Sequence, residues 1–447
     1  MSDDHADTIA AIASGAGRAG VGIVRVSGSL VPQIARQVCL ESLTPRKAAY
    51  LPFVDNSDST IDEGIALLFE APHSFTGEHV LELQGHGGAV VLDLIMQRVL
   101  ELGARPANPG EFSERAFLND KMDLAQAEAI SDLIDSSSVA AAQAAVRSMS
   151  GEFSLLVASI QEELIGLRVW LEAALDFSEE EIDFLAEPAL KLRAAQLLLD
   201  FDDLLAKAEQ GQRLRDGLTI VIAGVTNAGK SSLLNSLAGS EAAIVTDIEG
   251  TTRDVLREQI SIDGIPLHIV DTAGLRTTDD VVEREGIRRA REQMKSADHI
   301  LVLIDAQDPV MPLLDIDDAI PRTIIINKSD TVDQFIIDKV QKKFNATISV
   351  SAKHGDGMGR LKAHLLSIAG HDSSVEGVFS ARRRHLDALG HARQATNMAI
   401  QRLTDSTMPE LAAEELRFAQ KSLDQITGRF DSDDLLGRIF GSFCIGK

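Results

Sequence analysis

The octapeptide at 224–231, GVTNAGKS, constrains this chain more than any other segment. It reads glycine, four residues, then Gly229, Lys230 and Ser231, the spacing of a phosphate-binding loop. Its flanks suit that role. Residues 218–223 (LTIVIA) form a continuous apolar run, which predicts a buried parallel strand, and 232–237 (SLLNSL) opens a helix. Glycines let backbone N–H groups curl around phosphate oxygens. Lys230 brings a point charge to the outer phosphates, and the Ser231 hydroxyl suits Mg²⁺.

A second strand signal, 323–326 (TIII), ends in Asn327, Lys328, Ser329 and Asp330. The Asp330 carboxylate can accept two hydrogen bonds, from N1–H and the exocyclic amine of guanine. Adenine has neither donor there and would leave the carboxylate unpaired, at about 1–3 kcal/mol or more. Ser351, Ala352 and Lys353 follow a third strand signal at 347–350 and complete a base pocket. The nucleotide expected is GTP, with GDP as product.

Between these segments lie the switches. Residues 267–270 lead into Asp271, Thr272, Ala273 and Gly274. Asp271 is placed to hold the Mg²⁺ shell, and the Gly274 amide to sense the γ-phosphate. Gly250, Thr251 and Thr252 lie upstream in a polar loop, and one of the threonines should reach Mg²⁺. The four elements in this order match a small-GTPase-type G domain over about 215–370. Signalling GTPases follow the Asp-x-x-Gly segment with a glutamine that orients water, but this chain has Leu275. An apolar side chain cannot orient a nucleophile. The nearby acids are Asp279, Asp280, Glu283 and Glu285, and Arg253, Arg257 and Arg276 are available cations. A monovalent cation held by Asn227 and loop carbonyls is an alternative. Asn227 suits equally a neutral oxygen ligand or a turn-stabilising residue.

At 447 residues there is length for about three domains, and a 45% hydrophobic composition lets each bury a core. Residues 1–118 mix strand signals at 21–27, 64–69 and 80–83 with a helix over 90–102, an α/β pattern. Helical spacing takes over in 121–210. Leu124, Ala127, Ile130, Leu133 and Ile134 share one face, as do Phe153, Leu156, Ile160, Leu164, Leu167 and Leu171. A third helix covers 190–207, and after the G domain 382–403 and 411–426 are again helical. The economical architecture is a helical domain with the G domain inserted, since insertion suits a domain whose ends lie close together. The expected divisions are 1–118, 119–213, 214–375 and 376–447.

Cys39 and Cys444 are the only cysteines, which excludes a disulfide framework and favours a reducing cytoplasm. No apolar run reaches 18 residues and the first residues are acidic, so neither a membrane span nor a leader is expected. The formal net charge is −25, from 68 acidic and 43 basic residues. Such a chain is repelled by nucleic acid unless basic residues cluster. Arg382, Arg383, Arg384 and His385 form one cluster, read as a solvated helix start. Binding of an RNA then falls largely to a partner.

Two segments imitate motifs. Gly15, Gly17 and Gly20 fit a dinucleotide fingerprint, but a strand signal follows where that fingerprint needs a helix. The last four residues, CIGK, occupy the position of a prenylation box, but an interior glycine and terminal lysine are poor there. The apolar run 440–445 suggests instead a docked tail that puts Cys444 and Lys447 in a pocket.

The segments 80–88 (VLELQGHGG), 109–121 (PGEFSERAFLNDK), 243–253 (AIVTDIEGTTR) and 271–276 (DTAGLR), with the phosphate loop and the terminal FCIGK, span the chain. On them the sequence resembles the bacterial tRNA uridine-5-carboxymethylaminomethyl modification GTPases, the MnmE (TrmE) family. The resemblance implies a multidomain α/β plus all-α fold. It consists of an N-terminal α/β tetrahydrofolate-binding and dimerisation domain, a helical domain from both flanks, and an inserted P-loop (Ras-like) G domain. It implies a K⁺-stimulated GTPase that dimerises and joins an FAD-containing partner in a heterotetramer. Together they add an aminomethyl or carboxymethylaminomethyl group to C5 of the wobble uridine of certain tRNAs. The one-carbon unit comes from 5-formyl- or 5,10-methylene-tetrahydrofolate.

Carried over by motif, Asn227, Thr246, Ile248 and Thr251 would ligate K⁺, and Ser231 and Thr252 would ligate Mg²⁺. Glu283 would act on water through a bridging water, with Asp271 and Lys230 completing the catalytic set. Asn227, Ala228, Gly229, Lys230, Ser231 and Ser232 would contact GTP. So would Thr246, Asp247, Ile248, Glu249, Gly250, Thr251, Thr252, Asp271, Thr272, Ala273 and Gly274, with Asn327, Lys328, Asp330, Ser351, Ala352 and Lys353 around the base. Arg25, Glu82, Lys121 and Lys447 would contact the folate, with Cys444 beside it. Val225 and Thr226 depart from the family pattern, which ends this pair in proline; the change alters loop stiffness. A ribosome-assembly GTPase would share the G domain but not the N-terminal segments or the terminal CIGK.

Overall fold

Alternation builds the N-terminal sheet. In 21–27 every second residue from Val24 points inward, and Val24 and Val26 are buried in the computed structural model. The structure describes residues 7–15, 17–176, 188–225, 227–239, 257–262, 265–271, 297–312, 320–345, 347–368, 377–404, 409–428 and 433–446. Contacts divide the chain into two units. One comprises Met1–Ser131, Met149–Leu190 and His391–Lys447, the other Asp132–Ser148 and Lys191–Gly390.

The first unit carries strands β1 (Ile9–Ile12), β2 (Ala19–Ser27), β3 (Ala49–Val54), β4 (Thr60–Phe69), β5 (Val80–Gly87) and β6 (Arg105–Pro106). They form one sheet in the order β3-β4-β5-β2-β1-β6. Its neighbours are antiparallel except β1 and β6, which run parallel. One face packs under helices α1 (Val31–Cys39) and α2 (Ala89–Glu101), with Val24, Val26, Ile34, Phe53, Leu83 and Ile95 in the core. On the other face Ile9, Ala11, Ala107 and Phe112 cluster, Phe112 coming from α3 (Glu111–Leu118). Gly15 and Gly17 lie between β1 and β2, and the strand that follows excludes a dinucleotide turn.

Helices α4 (Leu124–Ile134), α5 (Val139–Met149), α6 (Glu152–Asp176) and α7 (Pro188–Asp216) come next. On α6 the buried stripe is Phe153, Val157, Ile160, Leu164, Leu167 and Leu171. Leu156, expected on it, is exposed, because the stripe passes through Val157 at the four-residue step from Phe153. The expected Ile134 is also exposed, at the last residue of α4.

The second unit holds β7 (Leu218–Gly224), α8 (Lys230–Ala238), β8 (Arg257–Ile262), β9 (Ile265–Asp271), β10 (His299–Asp305) and β11 (Arg322–Asn327). It continues with α9 (Gln334–Phe344), β12 (Ile348–Ser349) and α10 (Met358–Ile368). The sheet order is β12-β11-β10-β7-β9-β8, parallel except for the β8–β9 hairpin. Both faces are buried. Ile220, Ile222, Leu301 and Leu303 line one and Val221, Ala223, Ile300 and Val302 the other, which is why these strands read as unbroken apolar runs. β12 is shorter than the run at 347–350, and α7 reaches Asp216 rather than stopping near 207.

Within this unit the chain enters and leaves the G domain side by side. Asp132 accepts from Arg215 Nε at 2.7 Å, Arg382 Nη2 at 2.7 Å and Ser380 Oγ at 2.6 Å. Arg147 donates to the Val378 carbonyl at 2.6 Å and Ser148 to that of Ser380 at 2.9 Å. A Cβ on Gly211 would stand 1.9 Å from the Phe379 carbonyl oxygen, so only glycine admits this approach. The clasp corrects the reading of 382–385 as a solvated helix start. Arg382 is spent on Asp132 and His385 is buried, while Arg383 alone faces outward, beside Asp387. Helix α11 (Arg383–Thr404) begins there.

In the first unit α12 (Pro409–Thr427) packs along α6 through Leu416, Ala419 and Leu423. The pair is pinned by a bond from Gln161 Nε2 to Asp424 Oδ1 at 2.5 Å. Helix α13 (Asp433–Phe440) then delivers a tail that docks. Phe440 stacks near Phe117 at 6.2 Å and Phe443 at 5.4 Å, and the Cys444 carbonyl accepts from the Gly110 N–H at 3.3 Å. Among the described residues no helix is long and apolar enough to cross a membrane.

Candidate functional site

Parallel strands point their carboxyl ends the same way, and in open α/β sheets ligands bind there. The ends of β7, β9, β11 and β12 carry the phosphate loop, Asp271, Asn327–Asp330 and Ser351–Lys353 respectively. Asp271 ends β9 in register with Ile222 of β7.

The phosphate loop turns through two left-handed residues, Asn227 at φ 66° and Gly229 at φ 93°. Asparagine tolerates that region better than most residues. Gly229 is demanded twice, by its φ and because a Cβ there would lie 2.2 Å from Asn327 Nδ2. Lys230 starts α8, and its ammonium bonds the carbonyls of Gly224 at 3.0 Å and Val225 at 3.3 Å, within its own loop. Ser231 and Ser232 are exposed on the first helical turn, whose N–H groups favour anions.

Asn327 ties three loops together. It is buried, donates from Nδ2 to the Ala228 carbonyl at 2.9 Å, and accepts at Oδ1 from the Ala352 N–H at 3.1 Å. The Ser329 N–H adds a bond to the Val350 carbonyl at 3.1 Å. Lys328, left-handed at φ 62°, reaches Asp305 Oδ2 at 2.5 Å. The Ser351 hydroxyl bonds the Asp330 carboxylate and holds it below the usual carboxylate range, with His354 Nε2 at 3.5 Å.

Asp305 escapes the sequence reading. It ends β10 directly beside Asn327 in the ladder, and the signal was the apolar run 300–304 closing on an acid. The residues Thr246, Asp247, Ile248, Glu249, Gly250, Thr251, Thr252, Thr272, Ala273, Gly274 and Glu283 lie outside the described residues. So do Arg253, Arg276, Asp279, Asp280, Glu285 and Lys447.

The first unit gathers a second set. Arg25 of β2 and Glu82 of β5 are ladder partners, and Arg25 Nε and Nη2 bond Glu82 Oε1 at 3.0 and 2.9 Å. The Arg25 guanidinium lies 5.6 Å from the Phe75 ring and 5.8 Å from that of Phe112. Lys121 donates to the Pro72 carbonyl at 2.8 Å, on the loop that carries Phe75. Cys444 is exposed, its carbonyl bound to the turn before α3. Below lies a buried ion network that sequence reading missed. Arg115, 1% exposed, meets Asp7 at 2.7 Å, Glu111 at 2.9 Å and Glu78 at 3.1 Å. Burial alone would raise the Glu111 carboxyl, but the Arg105 and Arg115 guanidiniums outweigh it and hold it low.

Two family models match the chain. The one described as MnmE helical domain covers residues 124–444, and that described as GTP-binding protein TrmE N-terminus covers 8–121. The chain is 55% identical over 454 residues to the tRNA modification GTPase MnmE of Ectopseudomonas mendocina (strain ymp), covering 99% of this chain and 100% of that protein. It is 54% identical over 451 residues to the protein of the same name from Pseudomonas fluorescens (strain Pf0-1), covering 99% of each. For that of Pseudomonas aeruginosa (strain UCBPP-PA14) the identity is 54% over 450 residues, again 99% of each.

Proposed function

This chain belongs to the MnmE (TrmE) family, and from that premise we propose that it is a K⁺-stimulated GTPase of tRNA modification. Acting with an FAD-containing partner, it adds an aminomethyl or carboxymethylaminomethyl group to C5 of the wobble uridine of certain tRNAs, using a folate one-carbon unit. The observation that supports this is the presence in one chain of two built constellations. One is the guanine-type loop cluster tied by Asn327, and the other is the Arg25–Glu82 pair flanked by aromatic rings.

GTP binding follows from the loops. Backbone amides of 227–231 and the α8 N-terminus take the phosphates, and the Lys230 ammonium exchanges its two loop carbonyls for phosphate oxygens. Asp330 accepts the guanine donor edge, and the Ser351 hydroxyl bonds and orients its carboxylate. The Ser231 hydroxyl and Asp271, oxygen donors at the ends of adjacent elements, suit Mg²⁺, with Thr252 as a further ligand. A Mg²⁺ ion held there would supply neutralising charge to the phosphates. Asn227, exposed in its left-handed turn, suits K⁺ with Thr246, Ile248 and Thr251. Leu275 cannot orient water, so Glu283 does so through a second water.

Residues 1–118 form the folate-binding and homodimerisation domain in this reading, 119–213 and 376–447 the helical domain, and 214–375 the GTPase. Arg25, Glu82, Lys121 and Lys447 contact the folate, with Cys444 nearby. Hydrolysis accompanies G-domain dimerisation, and the working assembly is a cytoplasmic heterotetramer with the FAD-binding partner. Mass analysis of tRNA nucleosides from cells lacking this protein tests the reading. Loss of the C5 modification at wobble uridines is expected. Unchanged wobble uridines would overturn it in favour of a ribosome-assembly GTPase.

A further inference from the structure

We propose that Phe75 is the stacking platform for the flat heteroaromatic ring of the one-carbon carrier, held in place by a loop that α3 clamps. The proposal rests on the reading that the N-terminal domain binds a reduced folate. Two rings touch the Arg25 guanidinium, but they are not equivalent. Phe112 is fully buried, whereas Phe75 is half-buried and stays partly accessible to a ligand. Its inner side rests on the cluster of Ile9, Ala11, Ala107 and Phe112. A flat conjugated ring laid on Phe75 would lie beside Arg25 and Glu82, whose side chains are 22% and 16% exposed.

The hydrogen-bonding capacity next to Phe75 fits such a ring. Arg25 places both of its bonds on Glu82 Oε1. Among the described residues Glu82 Oε2 meets Gln84 Nε2, at 3.4 Å, a long bond that a ligand N–H can displace. One carboxylate oxygen is thus available to a pterin donor edge while the other stays locked.

The loop between β4 and β5 has no ladder to hold it, and side chains do that work. Ser27 Oγ meets Thr76 Oγ1 at 2.7 Å and donates to Glu78 Oε2 at 2.7 Å. Arg115 of α3 donates to Glu78 at 3.1 Å. Asn119 donates to the Thr76 carbonyl at 2.7 Å, and Lys121 to that of Pro72 at 2.8 Å. Gly77, at φ 80°, lets the loop come this close, since a Cβ there would stand 2.9 Å from Asn119 Cβ.

The test is titration of the full-length protein with (6S)-5-formyltetrahydrofolate, followed by calorimetry. Phe75→Ala should weaken binding by about 5- to 100-fold, the range for losing one aromatic stack. Phe75→Tyr should stay within about threefold of wild type and keep its thermal midpoint, and both variants should keep their affinity for a fluorescent GDP; Phe75→Ala also loses packing on the Ile9 cluster, so its midpoint falls. Phe75→Ala binding as wild type would overturn the proposal. So would a Phe75→Tyr protein as weak as Phe75→Ala, or a parallel loss of GDP affinity. Absence of folate binding by the wild-type protein would instead remove the underlying reading, a result distinct from any pattern among the variants.

Discussion

Asn327→Ala should uncouple the nucleotide loops, and the size of the effect can be worked from the geometry. The substitution removes two hydrogen bonds, to the Ala228 carbonyl at 2.9 Å and from the Ala352 N–H at 3.1 Å. Each intact bond is worth about 1 kcal/mol net, but both partners are backbone groups of buried residues, Ala228 at 0% and Ala352 at 8% exposure. Leaving such groups unpaired costs about 1–3 kcal/mol each, partly relieved where water enters the gap. A total of about 2–4 kcal/mol falls on the arrangement that binds nucleotide. By the relation of 1.4 kcal/mol per decade, affinity for a fluorescent GDP should drop by about 30-fold to 10³-fold. Fluorescence titration reads this directly, with the far-UV circular dichroism spectrum as the control for an otherwise intact chain. An affinity within threefold of wild type would mean the three loops hold their places without the amide, and the clip would lose its assigned role.

Two other perturbations probe the same unit. Asp132→Ala strips the clasp of its acceptor. Losing one partner of a buried ion pair costs about 3–5 kcal/mol. Arg215 is a third exposed and also pairs with Asp216, which brings the expectation to about 2 kcal/mol and a fall of about 4–8 °C in thermal midpoint; an unchanged midpoint would show the clasp to be idle. His299 gives a pH dependence of definite sign. Burial, then the neighbouring His364, holds its imidazole below the ordinary histidine value, while Thr323 Oγ1 sits between the rings at 2.8 and 2.7 Å. A histidine with a depressed folded pKa stabilises the fold in its neutral form. That stability is complete above the unfolded value near 6.5 and is lost as pH falls below it. The thermal midpoint should therefore decline from pH 7 to pH 5, and His299→Gln should flatten part of that decline; identical slopes would exclude the group.

What could be read in the sequence was what covalent spacing fixes. The phosphate loop, Asp271 and the Asn327–Asp330 turn each follow an apolar run, and each stands at the carboxyl end of a parallel strand. The docked tail was legible too, because 440–445 is apolar where a loose terminus would be polar. The Asn327 clip was not, since its partners are main-chain atoms of residues 99 and 25 positions away, and backbone groups look alike at every position. Nor was Arg115. A charged residue at 1% exposure contradicts its type's habit; Asp7 and Glu78, from distant segments, join Glu111 one helical turn earlier on α3 to make its burial tolerable. Phe75 lay in a loop with no periodicity, where nothing in the pattern sets a phenyl ring apart from its neighbours.

The charge balance carries a consequence for RNA. Counterion release makes phosphate contacts by lysine and arginine the main source of affinity for a tRNA, and a chain of net charge −25 opposes it at long range. The densest basic run, 382–385, cannot offset that. Arg382 is bound to the buried Asp132, His385 is itself buried, and Arg383 stands beside Asp387. A side chain spent on a buried acid, as Arg382 is, releases few counterions when a phosphate approaches. A GTPase of tRNA modification built this way is suited to act on a tRNA that another protein holds. Under the function proposed above, its own contacts with a tRNA would rest on a few residues rather than on a broad basic surface.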